Sequence, residues 1–280
     1  MLIAYLPQLI GNRLRSLAAA SAISSELNTP LVINWLQTSA FDLSYEDVFE
    51  VDFKTASTEE VMLIGLENGL DLYTEIQNWH GWKQESQNGR HLLAWLAMFC
   101  TPNQVSELEP TSTNKNLLLY TNDFHYKFSL DKQLIALREL KLAHNIKSRV
   151  YALLNDLHIR DLPSVHARGS DFTLFLNAKT DWFDYYREMI LERIPHDSDF
   201  FLTTEDFALK ERLLEEFSSR VRIRAWSSYE AEPSKTPLTP NSTTTADSLV
   251  DLYLLSCTNL VVFHPQSSYA QLARVLKGTI

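Results

Sequence analysis

Pro163-Ser-Val-His-Ala-Arg-Gly-Ser-Asp-Phe172 is the stretch on which the reading of this chain turns. Leu162-Pro163-Ser164-Val165 reads as a short buried strand. Ahead of it Leu142, Ile146, Val150, Leu153 and Leu157 recur in steps of three and four, the period of an amphipathic helix, and His158 to Asp161 form a polar break. His166, Arg168 and Asp171 then fall at or just beyond the strand's carboxyl end, where open α/β sheets place their ligand crevice. An imidazole, a guanidinium and a carboxylate within six residues, softened by Gly169 and Ser170, suit a ligand carrying a polyphosphate. Arginine presents a planar fork to phosphate oxygens, and small residues let backbone amides approach. A surface loop with a local Arg–Asp pair would look the same and contribute little energetically, so the choice rests on the rest of the chain.

Outward from this stretch, strand and helix alternate regularly. Downstream come a helix near Asp181, a strand Phe200–Thr203, a helix Glu205–Ser218 and a strand Val221–Ala225. A Pro-, Ser- and Thr-rich loop over Ser227–Thr244 leads to a helix Asp247–Ser256, a strand Leu260–Phe263 and a last helix Ser267–Leu276. At the amino end, Leu2–Leu6 reads as a strand and Gly11-Asn12-Arg13 as a turn. A helix with Leu14, Leu17, Ala18 and Ala22 on one face follows, then a strand Leu31–Trp35. Leu117–Tyr120 is a further strand, and Asp131–Leu157 a long helical stretch with room for a break. Between Leu36 and Asn116 the signal is poorer: short apolar pieces at Val61–Ile64 and Leu92–Phe99, and an aromatic cluster, Trp79-His-Gly-Trp82, which suits a packed corner or an acceptor-binding lip. The alternation predicts an α/β chain of two Rossmann-like domains, residues 1–157 and 158–280, with mostly parallel sheets, helices on both faces and a ligand cleft between the domains.

Composition narrows the class. At 280 residues, 45% hydrophobic and 21% charged, the chain has the make-up of an ordinary globular protein with room for a sizeable core. A net charge of −10 argues against general affinity for nucleic acid or anionic membrane, while leaving a local basic pocket open. Cys100 and Cys257 stand far apart in apolar surroundings and read as buried free thiols of a reducing compartment. With no signal-peptide pattern and no transmembrane segment, a cytoplasmic protein is expected.

Two further pieces join the first. Gly11-Asn12-Arg13-Leu14 stands between a strand and a helix, where a helix N-terminus favours an anion, or where Asn12 simply caps. Asp251-Leu-Tyr-Leu-Leu-Ser256 precedes the strand Leu260–Phe263 and then Ser267-Ser268-Tyr269, whose hydroxyls suit either a phosphate or an N-cap. In that order the three pieces resemble the fucosyltransferase superfamily that uses GDP-fucose: the α1,6-, α1,2- and protein O-fucosyltransferases and the nodulation fucosyltransferases. The shared pattern has a Gly-x-Gly-Asn turn, a His-x-Arg-x-x-Asp loop, and an Asp-x-x-x-Leu-Ser helix followed by a strand and a Ser-Ser/Thr-Phe turn. Phe200-Phe-Leu-Thr-Thr-Glu-Asp206 also looks like that family's strand ending in Thr-Asp-Asp.

The resemblance implies a GT-B fold and an inverting, metal-independent glycosyltransferase that moves fucose, or a similar sugar, from a GDP-sugar donor to a glycan or other hydroxyl acceptor. No cofactor is implied beyond the donor. By carry-over Arg168 grips the β-phosphate, His166 and Asp251 contact guanine or its ribose, and Ser267 and Ser268, at the turn with Tyr269, hold the diphosphate. Asn12 faces the sugar and leaving phosphate, with Arg13 nearby, and Asp171 is the nearest carboxylate to act as base. This sequence departs from the pattern at Leu9, where the first glycine is expected, at Gly169, where the α1,6 and α1,2 types carry a second arginine, and at Phe172, where the α1,6 type carries a lysine. Those departures keep open a nucleotide-sugar-binding protein with impaired catalysis; and since only His166 and Asp251 speak for guanine, a transferase using a different nucleotide sugar stays open as well.

Overall fold

A computed structural model describes residues 1–6, 10–37, 41–50, 53–68, 70–74, 116–120, 129–169, 181–223 and 244–279. Leu9, Asp171, Phe172, Cys100, the Trp79–Trp82 cluster and the Leu92–Phe99 segment lie outside the described residues. The chain forms two compact units, Met1–Thr38 with Ser44–Lys141, and Ser39–Leu43 with Leu142–Ile280.

In the first unit, β1 (Leu2–Leu6), β2 (Leu31–Trp35), β3 (Lys54–Thr55), β4 (Leu70–Thr74) and β5 (Asn116–Tyr120) make a parallel sheet in the order β3-β2-β1-β5-β4. The central strand β1 has Ala4 opposite Ile33 on one side and Leu119 on the other. Every residue of β1 is buried, which explains why it is an unbroken apolar run rather than an alternating one. Helix α1 (Ile10–Glu26) returns the chain to β2. Leu14, Leu17, Ala18 and Ala22 are buried as its spacing predicts, and Ala19 and Ala20 as well, because α4 (Leu130–Glu139) packs against it. The helix begins at Ile10, so Gly11, Asn12 and Arg13 occupy its first turn instead of a turn ahead of it. Ile10 and Gly11 are both buried, and that packing holds the segment in the helix. Between β2 and β4 the described residues form α2 (Tyr45–Val48), which the apolar pattern leaves unmarked, and α3 (Thr58–Asn68), which contains the short apolar piece Val61–Ile64. Each opens with a reciprocal cap, Ser44 with Asp47 and Ser57 with Glu60.

In the second unit, β6 (Pro163–Ala167), β7 (Phe200–Thr204), β8 (Val221–Arg222) and β9 (Asn259–Phe263) form a parallel sheet in the order β8-β7-β6-β9. Helices α6 (Trp182–Arg193) and α7 (Phe207–Phe217) cover one face, where Val165, Ala167, Tyr186, Ile190, Leu213 and Val262 share a core. Ser164 and His166 alternate to the other face, which carries α8 (Thr245–Ser256) and α9 (Ser268–Val275). There Thr258 Oγ1 donates to the Leu255 carbonyl at 2.8 Å and is hydrogen-bonded to Ser164 Oγ at 2.7 Å. The long helical stretch divides at Leu140–Ala143 into α4 and α5 (His144–Leu157).

Helix α5 belongs to the second unit, although the expected boundary at residue 157 places it in the first. Its buried stripe is Ile146, Val150 and Leu154, it packs against α8, and Arg149 pairs with Asp247 at the start of α8. Asp247 is almost fully buried and its amide donates to the Thr244 N-cap. Cys257, expected to be buried, is half-buried, with burial still pushing its thiol pKa up. No helix among the described residues is long and apolar enough to cross a membrane.

Removing Arg149 leaves a buried carboxylate without its cation. Arg149→Ala is therefore expected to lower stability by about 2 kcal/mol, the scale of a hydrogen bond to a charged group. Urea denaturation measures it, and a variant as stable as the parent would show that the pair does not hold α5 to α8.

Candidate functional site

The second sheet fixes where polar residues gather. From β6 the chain adds β7 and β8 on one side and then returns to place β9 on the other, so strand order reverses between β6 and β9. Ligands of open α/β sheets bind outside the carboxyl ends of the strands at such a point. His166 and Ala167 end β6, with Arg168 and Gly169 just beyond; Phe263 ends β9, followed by His264; Thr203 and Thr204 end β7, followed by Glu205 and Asp206.

His166 is 6% exposed. Its Nδ1 lies 3.1 Å from Thr203 Oγ1, and its ring rests against that of Tyr269 at 4.8 Å between centroids. Tyr269 is steadied by its hydroxyl, which donates to the Ser248 carbonyl of α8. The other ring nitrogen, Nε2, is buried and has no partner among the described residues. Burial, and then the nearby Arg168 charge, lower the His166 pKa to about 3, so the ring is neutral at physiological pH. A buried polar atom left unpaired costs about 1–3 kcal/mol, which is why such atoms in native proteins call for an explanation, a ligand among them. Ser267 caps α9, its hydroxyl accepting from the Ala270 amide at 3.3 Å, which sets the positive end of that helix beside His166 and Tyr269.

Arg168 stands at the switch point, half-buried. Its charge lowers the pKa of both His166 and His264, after burial in each case. The backbone beneath it is held tightly. Its N–H donates to the Tyr186 hydroxyl at 2.9 Å, its C=O accepts from that hydroxyl at 3.2 Å, and the next amide, of Gly169, donates to Glu205 Oε1 at 3.0 Å. A Cβ at Gly169 would lie 2.3 Å from Asp206 Oδ2, and Asp206 is committed to capping α7 through the Leu209 amide at 3.0 Å. That close approach excludes the second arginine that the resemblance leads one to expect at this position.

The remaining expected site residues are divided between the units. His166, Arg168, Ser267, Ser268 and Tyr269 are brought together; Asp251 lies on α8, half-buried, one turn beyond Ser248 and on the same face. In the first unit, Asn12 accepts from Arg15 at 2.8 Å through Oδ1, while its Nδ2 has no partner among the described residues. Arg13 is drawn inside. Fully buried, it donates to the Leu36 carbonyl at 3.0 Å, stacks over Trp35 at 4.5 Å, and has its pKa lowered by burial to about 9. Its visible work is to tie α1 to the end of β2. The sequence reading passed over Tyr186, Glu205 and His264. His264 had a signal, since it follows β9 as Arg168 follows β6. Tyr186 had none, because helical periodicity gives its face and not the reach of its hydroxyl.

Two outcomes test this geometry. Across about pH 5 to 8, where an ordinary imidazole titrates, the His166 ring resonances should stay those of the neutral form; a midpoint near the usual 6.5 would contradict the burial described here. Gly169→Ala should destabilise the protein by about 1–3 kcal/mol through the clash with Asp206, read by thermal denaturation; a neutral effect would mean that the loop yields.

No protein-family model matches the chain, and no curated protein matches it in sequence. Solved structures do. A NodZ α-1,6-fucosyltransferase co-crystallised with GDP is 18% identical, with 98% of this chain and 91% of that chain covered and a TM-score of 0.62. NodZ from Bradyrhizobium gives 17%, 98%, 92% and 0.62 in the same terms, and POFUT1 in complex with GDP-fucose gives 11%, 99%, 95% and 0.54. At such identities the likeness speaks for the fold. The chain has the α/β fold with parallel sheets of the GT-B fucosyltransferases.

Proposed function

We propose that this chain is an inverting, metal-independent glycosyltransferase that moves fucose, or a similar sugar, from a GDP-linked donor to a hydroxyl of a glycan or other acceptor. The observation that carries the reading is the Nε2 of neutral His166, buried without a partner among the described residues, two positions from Arg168 at the strand-order reversal of the second sheet. Solved structures of the same fold include complexes with GDP and with GDP-fucose, which supports the donor class.

In this reading the acceptor oxygen attacks the sugar's anomeric carbon from the face opposite the phosphate. The carbon–oxygen bond to phosphate breaks, and GDP leaves with the electron pair. Negative charge builds on the departing diphosphate, so a fixed cation and helix-terminal amides aimed at it lower the barrier. Arg168 supplies the cation and the start of α9 the amides. Ser267 accepts from Ala270 and keeps its own O–H to donate, as Ser268 does, so capping and phosphate binding are compatible. His166 hydrogen-bonds guanine or its ribose as a neutral ring through Nε2, and Asp251 accepts from the N–H edge of the base. Asn12 serves the sugar and leaving phosphate through its amide. A pKa of about 3 makes His166 a poor proton acceptor at neutral pH, so the acceptor's proton goes elsewhere, with Asp171, three residues after Arg168 in sequence, the candidate.

A second reading, a nucleotide-sugar binder without transfer, draws on the carboxylates of Glu205 and Asp206 at Gly169, where the resemblance leads one to expect a further cation. A thermal-shift panel of GDP, GDP-fucose, GDP-mannose, UDP and ADP addresses both readings. GDP and its sugars should raise the melting temperature above the UDP and ADP values. Slow release of fucose from GDP-fucose then separates enzyme from binder. Arg168→Ala should weaken GDP binding by about 2–5 kcal/mol; unchanged affinity would remove Arg168 from the site.

A further inference from the structure

The Tyr186 side chain is fully buried in an apolar cluster with Val165, Ala167, Ile190 and Val262. Trp182 and Tyr185 pack around its ring at 6.3 and 5.1 Å. A phenylalanine would fill that space without a hydroxyl to desolvate. The hydroxyl is accounted for by Arg168: it accepts from that residue's N–H at 2.9 Å and donates to its C=O at 3.2 Å. Burial raises the phenol's pKa well above the ordinary range, so it keeps the proton that this double role requires.

We infer that Tyr186 is a positioning residue for Arg168, clamping both polar groups of its peptide backbone so that the guanidinium is set toward the donor's diphosphate before the donor arrives. The inference rests on the reading of Arg168 as the phosphate-binding group. Its physical basis is preorganisation: backbone fixed in advance does not have to be ordered on binding, and a displaced guanidinium loses charge-assisted hydrogen bonds. The clamp comes from the helix behind the sheet, on the face opposite His166. Position of the cation and recognition of the nucleoside are thereby assigned to different layers of the unit.

Tyr186→Phe keeps the ring and removes the hydroxyl. Calorimetric titration of the full chain with GDP and with guanosine should show GDP binding weakened about tenfold, the scale of one or two lost hydrogen bonds, with guanosine binding unchanged. In an Arg168→Ala background the same substitution should have no further effect on GDP, because the cation it positions is gone. GDP affinity within twofold of the parent overturns the inference. So does an equal loss for guanosine, or an undiminished effect in the Arg168→Ala background, since each marks a general structural role. A parent chain that fails to bind GDP overturns the reading of the site, and the clamp with it; a parent that binds while Tyr186→Phe binds equally overturns the clamp alone. Should Tyr186→Phe not fold, amide hydrogen exchange of the unliganded parent decides: the Arg168 amide must be protected like a strand amide, and exchange at the rate of an open loop overturns the clamp.

Discussion

Strands at the centre of a parallel sheet are covered on both faces, so their residues must be apolar or fully satisfied until the strand ends. β1 obeys this along its whole length. In β6 the two polar residues that break the apolar run are each engaged, Ser164 by Thr258 and His166 at Nδ1 by Thr203. The constraint delivers polar chemistry to one rim of the sheet, and the reversal of strand order between β6 and β9 opens a place on that rim. His166, Arg168 and His264 are neighbours because three positions in a buried layer run out together.

The electrostatic character of that rim follows from the same burial. Two imidazoles flank one guanidinium, and both are held toward the neutral form by desolvation first and by the arginine second. Arg168 is therefore the main carrier of positive charge on this rim. Glu205 and Asp206 bracket the following glycine, so negative charge lies on the β7 side of the arginine. On the β9 side α9 presents its amino end, so the positive field of the rim lies there.

Much of this was legible in the sequence, for identifiable reasons. Buried parallel strands announce themselves as apolar runs, so β1, β2, β5, β7 and β9 were found to within a residue or so, and the spacing of Leu209, Leu213 and Phe217 gave α7. What periodicity does not carry was lost. α2 is announced by a Ser-x-x-Asp cap rather than by an apolar stripe, α3 showed only the short piece Val61–Ile64 behind its Ser-x-x-Glu cap, and β4 follows with an aspartate as its second residue. The start of α1 was misplaced because Gly11 reads as a turn, whereas packing overrides its flexibility. Of the candidate site, the residues adjacent in sequence, His166 to Gly169 and Ser267 to Tyr269, were visible. Arg13 was visible too, but its charge alone could not disclose that Trp35 and the Leu36 carbonyl receive it. The groups that organise Arg168 lie on other elements, and no local pattern links Tyr186 to it.

The assignment of Ser39–Leu43 to the second unit carries a consequence for how the protein is made. Phe41 in that segment is 1% exposed, and the chain passes between the units three times, at residues 38–39, 43–44 and 141–142. A fragment beginning at Leu142 would lack a buried aromatic that belongs to it. On the ribosome, Phe41 emerges long before the rest of its unit, so the nascent amino-terminal half must keep a greasy side chain in reserve until the rest of its host has been synthesised.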